Sequence, residues 1–316
     1  MRVFVTGANG FIGTSLCEYL ASRGFTVHGL VRADVPDKAG VVYHKGSLED
    51  GASLLDCLIG VDCLVHLAGR AHVMRDETRN PLATFRAVNC DATLELARTA
   101  KRAGVKRLVF LSSIGVNGAK TSVKPFDECS EPNPHADYAL SKLEAEQGLQ
   151  SLLAGSETEL VIIRPPLVYG VDAPGNFARL LRVVEKGIPL PFGGLNNQRS
   201  MISLDNLVEL IATCVVHPAA AGELFLAADG DDLSTKELVH ILAEGMGRRA
   251  RLFSMPARLL SIGATLVGKR AMYTQLCESL RVDASKARRV LGWQPRKLAR
   301  QALLEAGREY SRRCGL

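Results

Sequence analysis

The sequence predicts an α/β fold, a doubly wound parallel sheet followed by a smaller, mostly helical C-terminal lobe. Three observations predict it. Short β-branched runs alternate with longer helical patterns through the first half of the chain. Several of those runs are apolar throughout instead of alternating, as strands are when helices cover both faces of a parallel sheet. After Arg164-Pro165-Pro166 the texture changes, and Pro174-Gly175, Pro189, Pro191 and Gly193-Gly194 punctuate the second half of the chain.

In order, strands are predicted at residues 3–6, 26–31, 41–44, 63–67, 107–112 and 160–164. Helices are predicted between them near 11–23, 48–59, 82–103 and 138–153. Short connections and right-handed crossovers then bring the C-terminal strand ends to one edge, where a ligand binds in such folds. The second half carries helical patterns near 176–187, 204–216, 234–247, 284–291 and 297–313. The stretch 255–268, with Leu259, Leu260, Ile262, Leu266 and Val267 among small residues, reads as a packed or dimer-forming helix; a peripheral membrane helix is its alternative.

Bulk properties narrow the class. The 316 residues are 47% apolar and 23% charged, ordinary globular composition for one large or two unequal domains. The net charge of +6 is modest, and the densest basic runs, 248–251 and 286–289, hold no aromatic residue, so a nucleic-acid partner is not expected. Eight cysteines show no C-x-x-C pair and several lie in apolar runs, so they read as reduced core residues, with no disulfide framework and no metal site. The chain opens on a strand pattern, which leaves no room for a signal peptide. No run of about 18 apolar residues suggests a spanning helix, and a cytoplasmic location is expected.

The turn after the first strand is Thr6-Gly7-Ala8-Asn9-Gly10-Phe11-Ile12-Gly13. Glycines at this spacing let the backbone turn tightly and approach a pyrophosphate, whose charge suits the N-terminus of the next helix. A glycine-rich turn alone can be purely structural. Placed between a strand and an amphipathic helix, it predicts a Rossmann-type dinucleotide site in residues 1–165, with 166–316 as the substrate lobe and some chain exchanged between them. The second strand ends in Val31-Arg32, with no carboxylate before Asp34. An arginine there can pair with a 2′-phosphate, which favours NADP(H) over NAD(H); alternatively Arg32 stacks on adenine, or Asp34 reaches the ribose.

Tyr138-Ala139-Leu140-Ser141-Lys142 opens a helix and sets Tyr138 and Lys142 on one face. A phenol with its ordinary pKa near 10 is a poor proton exchanger at neutral pH, and a nearby ammonium is expected to lower that value. Lys142 can also hydrogen-bond a nicotinamide ribose. Ser113, at the C-terminal end of a predicted strand, lies on the edge where the cofactor belongs.

On these residues the chain resembles the extended short-chain dehydrogenase/reductases, the epimerase/dehydratase family acting on nucleotide-activated sugars. The resemblance runs nearly end to end. It includes His66-Leu67-Ala68-Gly69, Asn89, Arg164-Pro165-Pro166-Leu167-Val168-Tyr169-Gly170, Arg199 through Asp205, Asp283-Ala284-Ser285-Lys286 and Leu291-Gly292-Trp293-Gln294-Pro295. It implies that Ser113 hydrogen-bonds the reacting oxygen of the sugar and that Tyr138 exchanges its proton. It also implies dinucleotide contacts from Gly7, Asn9, Gly10, Phe11, Ile12, Gly13, Leu67, Ala68, Gly69, Asn89, Lys142 and Pro165. Arg199 would grip the substrate pyrophosphate, Asn176 would lie near the same phosphates, and His72 would lie near the sugar or be a loop histidine without catalytic duty. A homodimer through the helices near 82–103 and 138–153 is implied as well.

Four positions in three places depart from the family's pattern. The Asp-Glu pair of its 4,6-dehydratases is here Ile114-Gly115, so dehydration is not expected; its Val-Tyr-Gly is Val116-Asn117-Gly118; its adenine-binding Asp is Ser47. Two enzymatic readings remain. Arg32 favours an NADPH-dependent reductase, and the Arg70–Met74 stretch and Ser279-Leu280-Arg281-Val282-Asp283 resemble family members that reduce UDP-4-keto-6-deoxy-HexNAc sugars in surface-polysaccharide (O-antigen) synthesis. The other is a UDP-hexose or UDP-HexNAc 4-epimerase. A catalytically silent dinucleotide sensor is the non-enzymatic reading, against which the intact Ser113–Tyr138–Lys142 set argues.

Overall fold

The structure is a computed structural model, and it describes residues 1–71, 80–266, 268 and 270–315. The first half builds six strands: β1 (Arg2–Thr6), β2 (Thr26–Val31), β3 (Val41–Lys45), β4 (Cys63–His66), β5 (Arg107–Leu111) and β6 (Glu159–Arg164). Between them run α1 (Phe11–Ser22), α2 (Gly51–Leu58), α3 (Pro81–Arg86), α4 (Ala92–Arg102) and α5 (Asp137–Leu153). The second half adds short strands β7 (Leu167–Tyr169), β8 (Met201–Ser203) and β9 (Leu224–Leu226). Its helices are α6 (Asn176–Glu185), α7 (Leu204–Val216), α8 (Thr235–Gly245), α9 (Ala257–Leu266), α10 (Arg270–Cys277), α11 (Ser285–Leu291) and α12 (Ala299–Arg313).

Seven strands form one parallel sheet in the order β3-β2-β1-β4-β5-β6-β9. The chain winds outward through β2 and β3, returns, and winds the other way from β4, so the order reverses between β1 and β4. Ligands bind at such a switch point, beyond the carboxyl ends of the strands. Alternate side chains of each strand feed two cores, as period-two geometry requires. Val3, Val5, Val65, Val109 and Val161 face α1 and α7, whereas Phe4, Leu64, Leu108, Phe110 and Ile162 face α2, α4 and α5.

The predicted helix near 82–103 is interrupted by a π turn, Ala87–Asp91, between α3 and α4. Asn80 caps the start of α3, accepting from the Ala83 amide. A π turn inserts one residue per turn and re-aims side chains, and here Asn89 and Cys90 point into the interior.

Past residue 165 the chain returns to the sheet three times. α7 packs on α1, and β9 pairs with β6 in parallel register, Ile162 opposite Leu224. α11 packs into the first core beside β9 through Ala287 and Leu291, while α6, α8 and α12 surround a third core around Tyr169, Phe177, Leu181 and Leu303, with β7 and β8 paired in parallel. Asp229 fastens this part from within. Its buried carboxylate accepts from the Tyr169 hydroxyl at 2.5 Å, from Asn206 Nδ2 at 2.6 Å and from the Ser203 amide at 3.0 Å. Three hydrogen-bonded elements thereby meet on one charge, which a buried carboxylate needs in order to be tolerated.

The helix predicted in 255–268 forms as α9, but none of its described side chains is buried. Of the expectation of a packed or dimer-forming helix, packing within the chain is corrected: Leu260 alone of its large apolar residues packs against the third core, and Leu259, Ile262 and Leu266 face outward. Among the described residues, no helix is long and apolar enough to cross a membrane.

Candidate active site

The switch point is built by the ends of β1 and β4. Gly7, at φ +68, turns the chain beside the Leu67-Ala68 backbone, and a Cβ there would lie 2.9 Å from the Ala68 nitrogen. At Gly13 a Cβ would lie 2.1 Å from the Gly7 carbonyl oxygen, so α1 can begin this close to the turn only without a side chain. α1 starts at Phe11 with no side-chain cap and no carboxylate in its first turn, which leaves its positive end open. Asn9 and Gly10 are exposed at the tip, and Ile12 packs against the first core. Phe11 turns toward the second half of the chain and packs against the third core.

Beneath this turn lies a hydrogen-bond chain that the sequence did not reveal. The Ala68 amide donates to Thr6 Oγ1 at 3.2 Å, and Thr6 Oγ1 lies 2.6 Å from His66 Nδ1. On the other side, His66 Nε2 lies 2.9 Å from Thr93 Oγ1, whose hydroxyl donates to the Asn89 carbonyl at 2.8 Å. Because the Thr93 proton is committed to a carbonyl, Thr93 accepts from His66 Nε2–H, and Nδ1 accepts from Thr6. The ring is the neutral Nε2–H tautomer. Burial and, secondarily, the Lys142 charge push its pKa down to about 3.

Asn89 extends the chain toward the reacting end. Its Oδ1 accepts from the Arg70 amide at 2.8 Å, and its Nδ2 donates to the Arg70 carbonyl at 3.1 Å and to Ser141 Oγ at 3.1 Å. Ser141 Oγ in turn donates to the Tyr138 carbonyl at 2.8 Å. The π turn, the Gly69–Arg70 loop and the first turn of α5 are thus locked together.

Ser113 comes just after β5 and caps a short 3-10 turn, its Oγ accepting from the Gly115 amide at 3.1 Å. A Cβ at Gly115 would lie 3.3 Å from Ser113 Oγ and 3.2 Å from Ala139 Cβ, so Ser113 and the first turn of α5 meet at this glycine. Pro165 supports the turn by accepting from the Ile114 amide at 2.9 Å. The Tyr138 ring packs edge-on against Phe85, centroids 6.1 Å apart. α5 is tied to β6 by a buried ion pair, Arg164 Nε to Glu146 Oε1 at 2.9 Å, and Arg164 Nη1 donates to Asn117 Oδ1 at 3.0 Å. This pair was not anticipated, since its members lie 18 residues apart on different elements.

One electrostatic expectation is corrected. Burial pushes the Tyr138 phenol up to about 12, and the Lys142 charge does not offset it. Lys142 Nζ instead donates to the Leu111 carbonyl at 2.8 Å and sits over the Phe110 ring, 4.3 Å from its centroid. Burial takes the ammonium down to about 8. Among the described residues Leu111 is its only hydrogen-bond acceptor, and the buried hydroxyl of Ser112 next to it has no partner. An ammonium with two unused donors, an orphaned hydroxyl and a cradle free of side chains fit a dinucleotide running from the glycine turn to the end of β5.

Toward the adenosine end, Arg32 is exposed just past β2, and Asp34 is paired with Lys45 at 2.9 Å. In the second half, Arg199 and Asn176 line one cavity with Gln275 and Leu276 of α10. Arg199 Nη1 donates to the Glu278 carbonyl at 2.8 Å, and no carboxylate pairs with it among the described residues. Burial lowers its pKa to about 10, as for a cation held without a counter-charge. Asn176 Nδ2 donates to Gln275 Oε1 at 2.5 Å. His72 lies outside the described residues.

Comparison with known proteins agrees with this geometry. Residues 3–228 match the NAD dependent epimerase/dehydratase family. A UDP-glucose 4-epimerase from Vibrio cholerae is 39% identical over 311 residues, covering 98% of this chain and 95% of that protein. An N-acetyl-alpha-D-glucosaminyl-diphospho-ditrans,octacis-undecaprenol 4-epimerase from Escherichia coli O157:H7 is 28% identical over 302 residues, 90% of this chain and 88% of that protein. The solved structure of MoeE5 in complex with UDP-glucuronic acid and NAD superposes with a TM-score of 0.81 at 26% identity, covering 99% of this chain and 100% of that one.

Proposed function

The chain belongs to the NAD dependent epimerase/dehydratase family, and on that premise we propose that it interconverts the C4 epimers of a UDP-hexose or UDP-HexNAc. The observation that carries this reading is the grouping of Ser113, Tyr138 and Lys142 at the end of β5, with Ile114 and Gly115 where a dehydratase would need carboxylates. Without them the site has a means to move one proton at one oxygen, but none to expel water across the ring.

When bound, the nicotinamide supplies the reversible two-electron exchange. Ser113 Oγ, already accepting from Gly115, keeps its proton free to hydrogen-bond the C4 oxygen. Tyr138 as the neutral phenol protonates a 4-keto oxygen; the reverse half requires the phenolate, which a positive charge brought beside the ring favours. Lys142 offers its two unused N–H donors to the ribose. Arg199, which has no carboxylate partner among the described residues, and Asn176 hold the diphosphate. In the same reading residues 1–165 carry the dinucleotide and 166–316 the sugar, with α7 and β9 crossing back, and two copies pair through the helices near 82–103 and 138–153.

A second reading is favoured by one specific observation. Arg32 is exposed at the end of β2 with no carboxylate partner among the described residues, while Asp34 is engaged by Lys45, an arrangement suited to a 2′-phosphate and hence to an NADPH-dependent 4-keto-6-deoxy-HexNAc reductase. Denaturing the purified protein and identifying any released dinucleotide, followed by assays on UDP-sugars, separates the two. Retained NAD with 4-epimer formation is the expected result. An empty site that prefers NADPH and consumes it with a UDP-4-keto sugar would replace the epimerase by the reductase.

A further inference from the structure

The charge of this protein is concentrated in one place. The 30 residues from 248 to 277 hold six of its 39 Lys+Arg and none of its 33 Asp+Glu, so the rest of the chain carries 33 of each. The whole net charge of +6 therefore resides in the segment that contains α9 and α10. Arg248, Arg249, Arg251, Arg258 and Arg270 are exposed there, and none is paired with a carboxylate among the described residues.

The same segment is the most apolar part of the surface. Five of the 13 large apolar side chains exposed among the described residues lie between Phe253 and Met272. Leu259, Ile262 and Leu266, 58%, 56% and 82% exposed, recur at the spacing of one helical face. α9 is held to the body by Leu260 and to α10 by a hydrogen bond from the Tyr273 hydroxyl to the Ala257 carbonyl at 3.3 Å. A short helix with an outward apolar stripe, basic flanks and no acidic residue matches the chemistry of an anionic bilayer surface, where apolar side chains enter the headgroup boundary and arginines pair with phosphates.

We propose that α9 and α10 form a docking hairpin by which this protein binds the surface of an anionic phospholipid bilayer without crossing it. α10 runs from that hairpin to the wall of the Arg199 cavity, so a docked molecule carries this cavity beside the headgroup layer. The proposal goes beyond the C4 chemistry and does not depend on it.

Co-sedimentation of the full chain with vesicles tests it. Mixed phosphatidylglycerol–phosphatidylcholine vesicles should pellet the protein, phosphatidylcholine alone should not, and added salt should release it. Leu259→Ser with Ile262→Ser and Leu266→Ser should weaken binding roughly tenfold or more, and Arg258→Gln with Arg270→Gln several-fold, with solution turnover unchanged. Failure of the wild-type chain to bind the anionic vesicles, or equal binding by the serine variant, would overturn the proposal. So would sedimentation equilibrium in which the serine variant dissociates a dimer, since α9 would then be covered by a second copy.

Discussion

Lys142 donates to the carbonyl of Leu111 and not to Tyr138, although the two side chains share a face of α5. The ammonium is held at the end of β5, against the Phe110 ring, by the strand that precedes Ser113. Among the described residues it is a buried charge with one acceptor, so two of its N–H donors remain for a cofactor.

Replacing Tyr138 by Phe keeps the edge-on packing with Phe85 and removes only the hydroxyl. Turnover should fall by about 10²–10⁴-fold, while dinucleotide binding, followed by fluorescence titration, stays within a few-fold. Unchanged turnover would remove Tyr138 from the reaction.

Lys142→Met should abolish activity and stabilise the ligand-free chain by roughly 1–3 kcal/mol, since it relieves a buried ammonium. Lys142 falls from its ordinary value of 10.5 to about 8 on folding, so between those values the unfolded chain binds more protons. Stability of the wild-type chain should accordingly gain from this residue as pH rises through that window, and urea titrations of the Met variant should lack this contribution.

His66 moves the other end of the pH range. Folding lowers it from 6.5 to about 3, so the unfolded chain binds the additional proton in between. Its contribution is complete above about 6.5 and is lost progressively as pH falls toward 3, by a few kcal/mol in all. Nitrogen chemical shifts should show a neutral ring protonated at Nε2 at neutral pH.

Arg164→Met leaves the Glu146 carboxylate buried beside α5 with no counter-charge, at a cost of about 3–5 kcal/mol in urea unfolding. Changing Glu146 to Leu in the same chain should recover most of that loss. A double variant no more stable than the single one would mean that the pair does not act as a unit.

Arg199→Met should raise KM for a UDP-sugar by roughly 10–150-fold while kcat at saturation changes little, because the guanidinium meets the diphosphate and not the reacting carbon. A collapse of kcat with KM unchanged would place Arg199 elsewhere in the cycle.

Much of this could be read from the sequence, and the parts that could not be have physical causes. The six strands of the first half were legible because short β-branched runs, several of them apolar throughout, alternate with helical patterns as in a covered parallel sheet. Tyr138 and Lys142 were legible through their spacing, which fixes a shared face but not what the ammonium donates to. The π turn was not: Val88, Asn89, Cys90 and Asp91 are weak helix formers, but weak propensity does not specify a π turn, and the tertiary bonds of Asn89 hold the irregular backbone. β7, β8 and β9 have three residues each, too few for a period to show. α9 was expected from its apolar residues, but periodicity states that a helix has an apolar face and not whether another element covers it.

The return of the chain to the sheet also constrains how the protein can be made. When residue 165 has just left the ribosome, β6 is an open strand edge and the side of α1 that α7 will cover is bare. The α1 face stays bare until the chain through Val216 has emerged, and the β6 edge until the chain through Leu226 has. The nascent first half therefore presents an apolar face for most, and an unpaired edge for all, of the time that about 60 further residues take to be added, several seconds at ordinary elongation rates. A ribosome stalled in that interval would hold a half-built sheet, prone to pair with a neighbour's or to be captured by a chaperone.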